Sequence, residues 1–458
     1  MPRRTIAKYI VPMLLVPVLV GFVGMVLGLA SSARTDTSPP PFDGFVPAPP
    51  PFDATKRTAV VIAANSGTEG SDFLAPYEVL ARSGAFNIYA VAPQRKITHL
   101  FPGTPLARGV DIVPHFSFAE YDATISRNPD VIVIPFLPFE QAAEYQTIMQ
   151  WIRDHSGSDT LLVSICAGAK NLADTGLLDG HRATTHHYTF AQIEQSHPNV
   201  ELVRGVRYVE DGNLITSAGV TAGVDASLFV LKRLLGDAAA LAVAEQLDYP
   251  YAHFLDDPSF VPPATALADT VSMVPPVMNA FLSGFSTSKS ELGVALYEGI
   301  SELALASVVD TYPHQTALTV NTVAPERAVV LSRHGLALVP RWSFADTPAL
   351  DRLIVPGELD GERLAAFADW ASERQQPMIE QIHQDGEYVY TTTFNDMAHR
   401  FGREVANQAV YVLEYPLGRV SQEAPLLPFG LIVRISLLAL LGLGLGALWN
   451  RRGVMPAR

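Results

Sequence analysis

The chain repeats itself. Gly109–Phe118 reads GVDIVPHFSF and Gly335–Phe344 reads GLALVPRWSF. Upstream, VAPQR at Val91–Arg95 matches VAPER at Val323–Arg327; downstream, VIVIP ending at Pro135 matches RLIVP ending at Pro356. DGNLITS (Asp211–Ser217) pairs loosely with DGEYVYT (Asp385–Thr391), and LDYP (Leu247–Pro250) with LEYP (Leu413–Pro416). The order is the same in both halves. That predicts two homologous lobes, about 58–255 and 291–420, with a linker over 256–290. The copies differ in length in one place: Pro135 to Pro250 spans 115 positions (250 − 135), and Pro356 to Pro416 spans 60 (416 − 356). The lost stretch covers the segment around Cys166, the only cysteine of the 458-residue chain. The second lobe therefore has no cysteine nucleophile. Its expected role is to pack on the first as a built-in partner, an internal pseudo-dimer.

Within the first lobe, Thr58–Ala64 (TAVVIAA) is a short, nearly continuous apolar run, the pattern of a strand buried on both faces. Ser71 and Asp72 open a helical stretch that Gly84 stops. Strands are expected at 87–92, 130–134 and 160–165, with a helix over 141–154. This alternation predicts a doubly wound, flavodoxin-like α/β fold with a parallel sheet in each lobe.

Two segments are apolar enough to cross a bilayer, one from about Tyr9 to Ala30 behind Arg3, Arg4 and Lys8, the other from about Leu431 to Trp449 ahead of Arg451, Arg452 and Arg458. Each approaches the roughly 20 residues that a spanning helix needs. Residues 1–30 and 428–450 are thus expected to be transmembrane helices in a plasma or inner membrane. The basic flanks put both termini in the cytoplasm and the globular part in the periplasm or outside the cell. A cleaved signal peptide, with Ser31 and Ala33 as its small residues, is the alternative for the first segment. Residues 31–57 are proline-rich and read as a semi-rigid spacer. A net charge of −14 argues against nucleic acid as a partner, and one cysteine excludes an intrachain disulfide or a cysteine-based zinc site. No cofactor or metal is expected.

LLVSICAGA (Leu161–Ala169) carries the chemistry: an apolar strand, Cys166, a run of small residues, then a helix. Small residues let the backbone bend sharply and present the Cys166 side chain as a nucleophile elbow. The helix start beyond it favours a thiolate and a developing oxyanion.

SICAGAKNLADTGLLDGHRATTHH (Ser164–His187), DGNLITSAGVTAGVDASLFVLKRLLG (Asp211–Gly236) and DFLAPYEVL (Asp72–Leu80) together resemble the ThiJ/PfpI superfamily. This superfamily is class I glutamine amidotransferase-like, and the resemblance is to its branch of isonitrile hydratase and the sensor domains of AraC-type regulators. It covers about 58–250 well and the second lobe weakly. It implies Cys166 as nucleophile, His186 as the histidine near the thiol, Asp72 as the acid contacting it, and the backbone at Ala167 as the oxyanion donor, with Gly168 beside it at the ligand site. His187 replaces the branch's usual tryptophan and is expected either to line a more polar pocket or to stand exposed. Phe136 and Leu137 stand where the family has two glycines, which narrows the pocket. Bland alternatives are an N-cap role for Asp72, a satisfied polar role for His186 and an outward helical face for Glu78.

Three functions remain open at this level. A small-molecule sensor or weak thiol hydrolase or hydratase is favoured by the lost glycine pair and the two anchors. A dedicated isonitrile hydratase-like or deglycase-like enzyme predicts a depressed thiol pKa. A redox sensor would use reversible oxidation of Cys166.

Overall fold

A computed structural model describes residues 3–32, 36–42, 44–103, 107–260, 281, 284–285, 290–314, 318–359, 361–383, 386–416, 420, 423–425 and 429–452. Most of the expected 256–290 linker lies outside them.

The first α/β unit is built on a seven-stranded sheet in the spatial order Tyr208–Asp211, Leu214–Ser217, Leu161–Ser164, Val131–Ile134, Arg57–Ile62, Phe86–Ala92, Phe116–Ser117. All neighbours are parallel except the antiparallel edge pair 208–211 and 214–217. The sheet is mixed, and the flavodoxin-like α/β expectation holds with that one qualification. Alternation along one strand explains why the run reads as continuously apolar. Ala59, Val61 and Ala63 point into one core with the helices Gly70–Arg82 and Ala222–Leu235. Val60, Ile62 and Ala64 point into a second core under the helices Phe118–Ile125, Tyr145–His155 and Gly168–Asp174. The helix expected over 141–154 begins only at Tyr145. The Glu144 side chain ahead of it accepts the Ser66 N–H at 2.6 Å.

A second unit carries a five-stranded parallel sheet in the order Trp342–Ser343, Leu318–Ala324, Ser290–Ala295, Arg352–Val355, Ile379–Gln381. Its core is continuous with the inner core of the first unit. YVYT within Glu387–Thr391 does not form a strand as DGNLITS does: Tyr388 caps the helix Val389–Phe401. Asp385 lies outside the described residues.

The units meet through the repeated segments themselves. Val110–Val113 pairs antiparallel with Ala337–Val339 in a shared five-stranded sheet, with Ile112 opposite Leu338. A buried ion pair, Arg341 Nε to Asp111 Oδ2 at 2.9 Å, crosses the seam. The helices Gly70–Arg82 and Glu302–Thr311 pack on each other. Glu78 is therefore not on an outward face. It is buried, and its carboxylate accepts Ser301 Oγ–H at 2.7 Å and Leu303 N–H at 2.6 Å at the start of the opposing helix.

The proline-rich stretch lies along both units rather than standing off as a free spacer. Side chains of both units bond its backbone carbonyls: Arg95 reaches Pro47 O at 2.8 Å and Arg341 reaches Thr37 O at 2.9 Å.

Two helices are long and apolar enough to cross a membrane, over Tyr9–Leu27 and Phe429–Leu448. They pack side by side, so closely that a Cβ on Gly442 would sit 2.2 Å from Pro12 O.

Candidate functional site

Cys166 follows Ser164 and Ile165 at the C-terminal end of a central strand, and its backbone takes φ = 56°. A left-handed conformation costs an L-residue about 1–2 kcal/mol, so the surroundings must impose it. They do so from both sides. Cys166 N–H donates to Ser217 Oγ at 3.2 Å, and Thr185 Oγ1–H donates to Cys166 O at 3.1 Å. Ile165 N–H donates to Ile134 O at 3.0 Å. Glycine is obligatory at 168 because a Cβ there would sit 2.2 Å from Ile134 O. The Gly168 N–H is spent on Ile165 O at 2.8 Å, while the Ala167 N–H faces the Cys166 sulfur.

The thiol is enclosed, with Cys166 only 5% exposed. Asp72, fully buried, lies within hydrogen-bonding reach of it. Asp72 is not the N-cap of its helix. Glu69 is, accepting Asp72 N–H at 2.6 Å. This frees the Asp72 carboxylate to accept Phe136 N–H at 3.2 Å. Phe136 thus meets the site through its backbone, and its ring stands edge-on to Phe101. Leu137 N–H is taken by Asn171 Oδ1 at 3.0 Å.

Three acids gather here. Burial pushes the Asp72 carboxyl well up from its ordinary range. Burial and the neighbouring Asp72 charge do the same to Glu69. Burial and the Glu69 charge do the same to Asp310, which arrives from the second unit's Glu302–Thr311 helix. Cys166 responds accordingly. Burial, then the Asp72 and Glu69 charges, push its thiol well up, against a smaller opposing pull from the Ala167 N–H. The depressed thiol pKa that a dedicated nucleophile requires is not what this environment produces.

His186 is buried, and both ring nitrogens have backbone partners. Nε2–H donates to Val412 O at 2.7 Å and Nδ1 accepts Tyr188 N–H at 3.3 Å. Burial, with the adjacent His187, lowers it to about 4, so it is neutral at pH 7. With both nitrogens occupied, His186 is not set up as a base toward the thiol. His187 turns toward the second unit, where Glu414 Oε1 accepts its backbone N–H at 3.0 Å and its Nδ1–H at 2.6 Å. His186, His187 and Glu414 bring donor atoms within 4.8 Å of one another. His186 Nε2 is tied to Val412 O and His187 Nδ1 to Glu414, while the buried His187 Nε2 has no hydrogen-bond partner among the described residues.

The second unit has a different residue at the corresponding register. Val355 pairs with Gln381 as Ile134 pairs with Ser164, so His383 stands two residues beyond its strand residue as Cys166 does. His383 is buried, accepts Gly357 N–H at 2.6 Å and lies 3.0 Å from Thr393 Oγ1. It is a satisfied core histidine.

The sequence pointed to Cys166, His186, Asp72, Ala167, Gly168, His187 and Phe136; the structure brings Cys166, Asp72, the Ala167 N–H and the Phe136 backbone together and turns His186 and His187 toward the second unit. It missed Glu69, Thr185, Ser217, Asp310 and Glu414. The first three, Glu69, Thr185 and Ser217, lie within or beside the family-like segments and carry no motif of their own. The last two come from the second unit, about 140 and 250 residues away from Cys166, and only tertiary contact identifies them; the repeated LEYP around Glu414 was the one available signal.

Residues 56–233 match the DJ-1/PfpI family. The chain is 30% identical over 179 residues to isonitrile hydratase of Pseudomonas putida, covering 39% of this chain and 72% of that one. It is 35% identical over 99 residues to the HTH-type transcriptional regulator CdhR of Pseudomonas aeruginosa, 22% of this chain and 29% of the regulator. Among solved structures, Drosophila melanogaster DJ-1beta aligns at 25% identity with a TM-score of 0.37, covering 43% of this chain and all of that one.

Proposed function

This chain belongs to the DJ-1/PfpI family, and we propose that it is a membrane-held member whose first unit binds a small molecule at the Cys166 elbow, acting as a sensor or a weak thiol-dependent hydrolase or hydratase. One observation carries this reading. The elbow is built and strained as a functional turn, yet its thiol sits among carboxyls that keep the proton on sulfur. A thiol kept protonated by burial and by neighbouring carboxylate charge hydrogen-bonds a polar ligand well and attacks an electrophile poorly. The experiment is alkylation of the full-length protein by iodoacetamide at pH 7, beside a small-molecule binding screen on wild type and Cys166→Ala. The expected result is slower alkylation than free glutathione, with binding retained in the variant. Alkylation faster than glutathione, together with loss of all binding in Cys166→Ala, sinks it.

A dedicated cysteine hydratase is the second reading, supported by the identity to isonitrile hydratase and by Asp72 beside the thiol. It requires turnover of an isonitrile that Cys166→Ser abolishes.

The two units are read as homologous lobes forming an internal pseudo-dimer. Supporting this, their sheets share the strand order around the central strand, and Asp248 and Glu414 both take φ = 50° in the LDYP and LEYP segments. Gly236 and Gly402 likewise join successive helices at φ = 91° and 89°. The membrane reading rests on the two apolar helices. Pro12, near the start of one, packs against Gly442, near the end of the other, an antiparallel arrangement that suits termini on one side, with basic residues outside both. The globular part then lies on the opposite, extracytoplasmic side.

A further inference from the structure

We propose that Glu414, delivered by the second unit, is a positioning residue for the Cys166 elbow, its single carboxylate clamping the two loops that hold the strained cysteine backbone. The proposal rests on the reading of Cys166 as the ligand site and deepens it.

Cys166 is held by Thr185 on its carbonyl and by Ser217 on its N–H. Two residues beyond each of these, Glu414 takes hold. Its Oε1 accepts the N–H and the Nδ1–H of His187, at 3.0 and 2.6 Å. Its Oε2 accepts the Gly219 N–H at 2.7 Å. The 185–187 loop and the 217–219 turn are thereby fixed relative to each other by one charged group, and the elbow is suspended between them. Charge-assisted hydrogen bonds of this kind are roughly twice as strong as neutral ones and are directional, which suits a clamp.

The rest of the molecule is shaped around this side chain. Glu414 is 2% exposed. A Cβ on Gly219 would lie 2.5 Å from its Cβ and 2.6 Å from its Cγ, so glycine at 219 makes the space. The Glu414 backbone is itself left-handed and is held there by its own partners: Thr221 Oγ1–H donates to its carbonyl at 2.9 Å, and the buried Arg207 donates to the same oxygen. A strained backbone held by a buried arginine, aiming a carboxylate across a seam, is more than filling requires.

The charged and titratable groups around the two residues are few. Asp72 and Glu69 face Cys166 from the 70–82 helix and its cap, Asp310 stands against them from the 302–311 helix, and Glu414 faces Cys166 across the seam. His186, His187 and Arg207 face Glu414. Glu414 adds its negative charge to those opposing the thiolate. Positioning and charge can therefore be read in one titration.

The chain has a single cysteine, so ¹³Cβ-cysteine labelling gives one resonance in the detergent-solubilised full-length protein. Its shift against pH reports the thiol midpoint without any ligand. Glu414→Gln is expected to move that midpoint down by about half a pH unit or more. His187→Ala, which removes a donor and leaves the Glu414 charge less compensated, is expected to move it up. Thr221→Val, which removes hydroxyl bonds to the Leu413 and Glu414 carbonyls and from Arg207 but leaves the Glu414 carboxylate and its partners in place, is expected to lower the unfolding temperature and leave the midpoint in place. A merely structural Glu414 would move stability in all three and the midpoint in none, and that result overturns the proposal. If Glu414→Gln does not fold, an unmoved midpoint in folded His187→Ala overturns it alone. Failure to find a ligand would count against the site reading but would not touch this titration.

Discussion

Replacing Cys166 by glycine and by alanine separates the strain of the elbow from the chemistry of its side chain. Both substitutions remove the buried sulfur. Alanine keeps a Cβ at φ = 56°, whereas glycine does not. The left-handed conformation costs a residue with a Cβ about 1–2 kcal/mol. Glycine loses about 0.5–1 kcal/mol more chain entropy on folding than alanine. The difference leaves Cys166→Gly more stable than Cys166→Ala by about 0.5–1 kcal/mol. Urea unfolding of the two variants at one pH, followed by circular dichroism, measures this directly, because their shared losses cancel. The hydrogen bonds to Ser217 Oγ and from Thr185 Oγ1 involve only the backbone of residue 166, so they persist in both. Equal stabilities, or a more stable alanine variant, would show that the elbow is not held against its own preference, and the strain argument would fall.

Other expectations follow from the same geometry. Gly168→Ala should destabilise the first unit by about 2–3 kcal/mol, since the added Cβ meets a strand carbonyl that has no room to retreat; calorimetry would detect a smaller loss if the elbow can shift. Asp72→Asn removes a charge that pushes the Cys166 thiol up, so the alkylation rate at pH 8 should rise above wild type; an unchanged or slower rate would mean the carboxyl is already neutral there or assists the thiolate. His186 has a folded value of about 4, below the ordinary 6.5. Its contribution is therefore full above pH 6.5 and is lost as the pH falls toward 4, at up to about 1.4 kcal/mol per unit. His186→Gln should flatten the acid limb of the stability curve, and parallel curves would contradict this. Arg207→Met strips the buried Asp225 of a partner at 2.7 Å and should cost about 3–5 kcal/mol in unfolding free energy; a loss below 1 kcal/mol would show that Asp225 takes up a proton at little cost.

The sequence alone determined a good deal. Strand runs such as TAVVI, the strand–Cys–small–helix order at 161–169 and the family-like stretch over 164–236 are local patterns, and local patterns carry fold class and the location of an elbow. Apolar length and flanking charge determined the two candidate spans for the same reason. What lay beyond reach was set by contacts between distant segments. Whether Asp72 caps its helix or faces the thiol depended on Glu69 taking the cap. Whether Glu78 met water or protein depended on the Glu302–Thr311 helix lying across it. His186 stood at the expected spacing, yet its direction was decided by Val412, 226 positions away. The thiol's acidity was decided last of all. Desolvation and like charge act through space, and a one-dimensional pattern that makes an elbow does not say how deep it lies or which carboxylates the second unit brings to it.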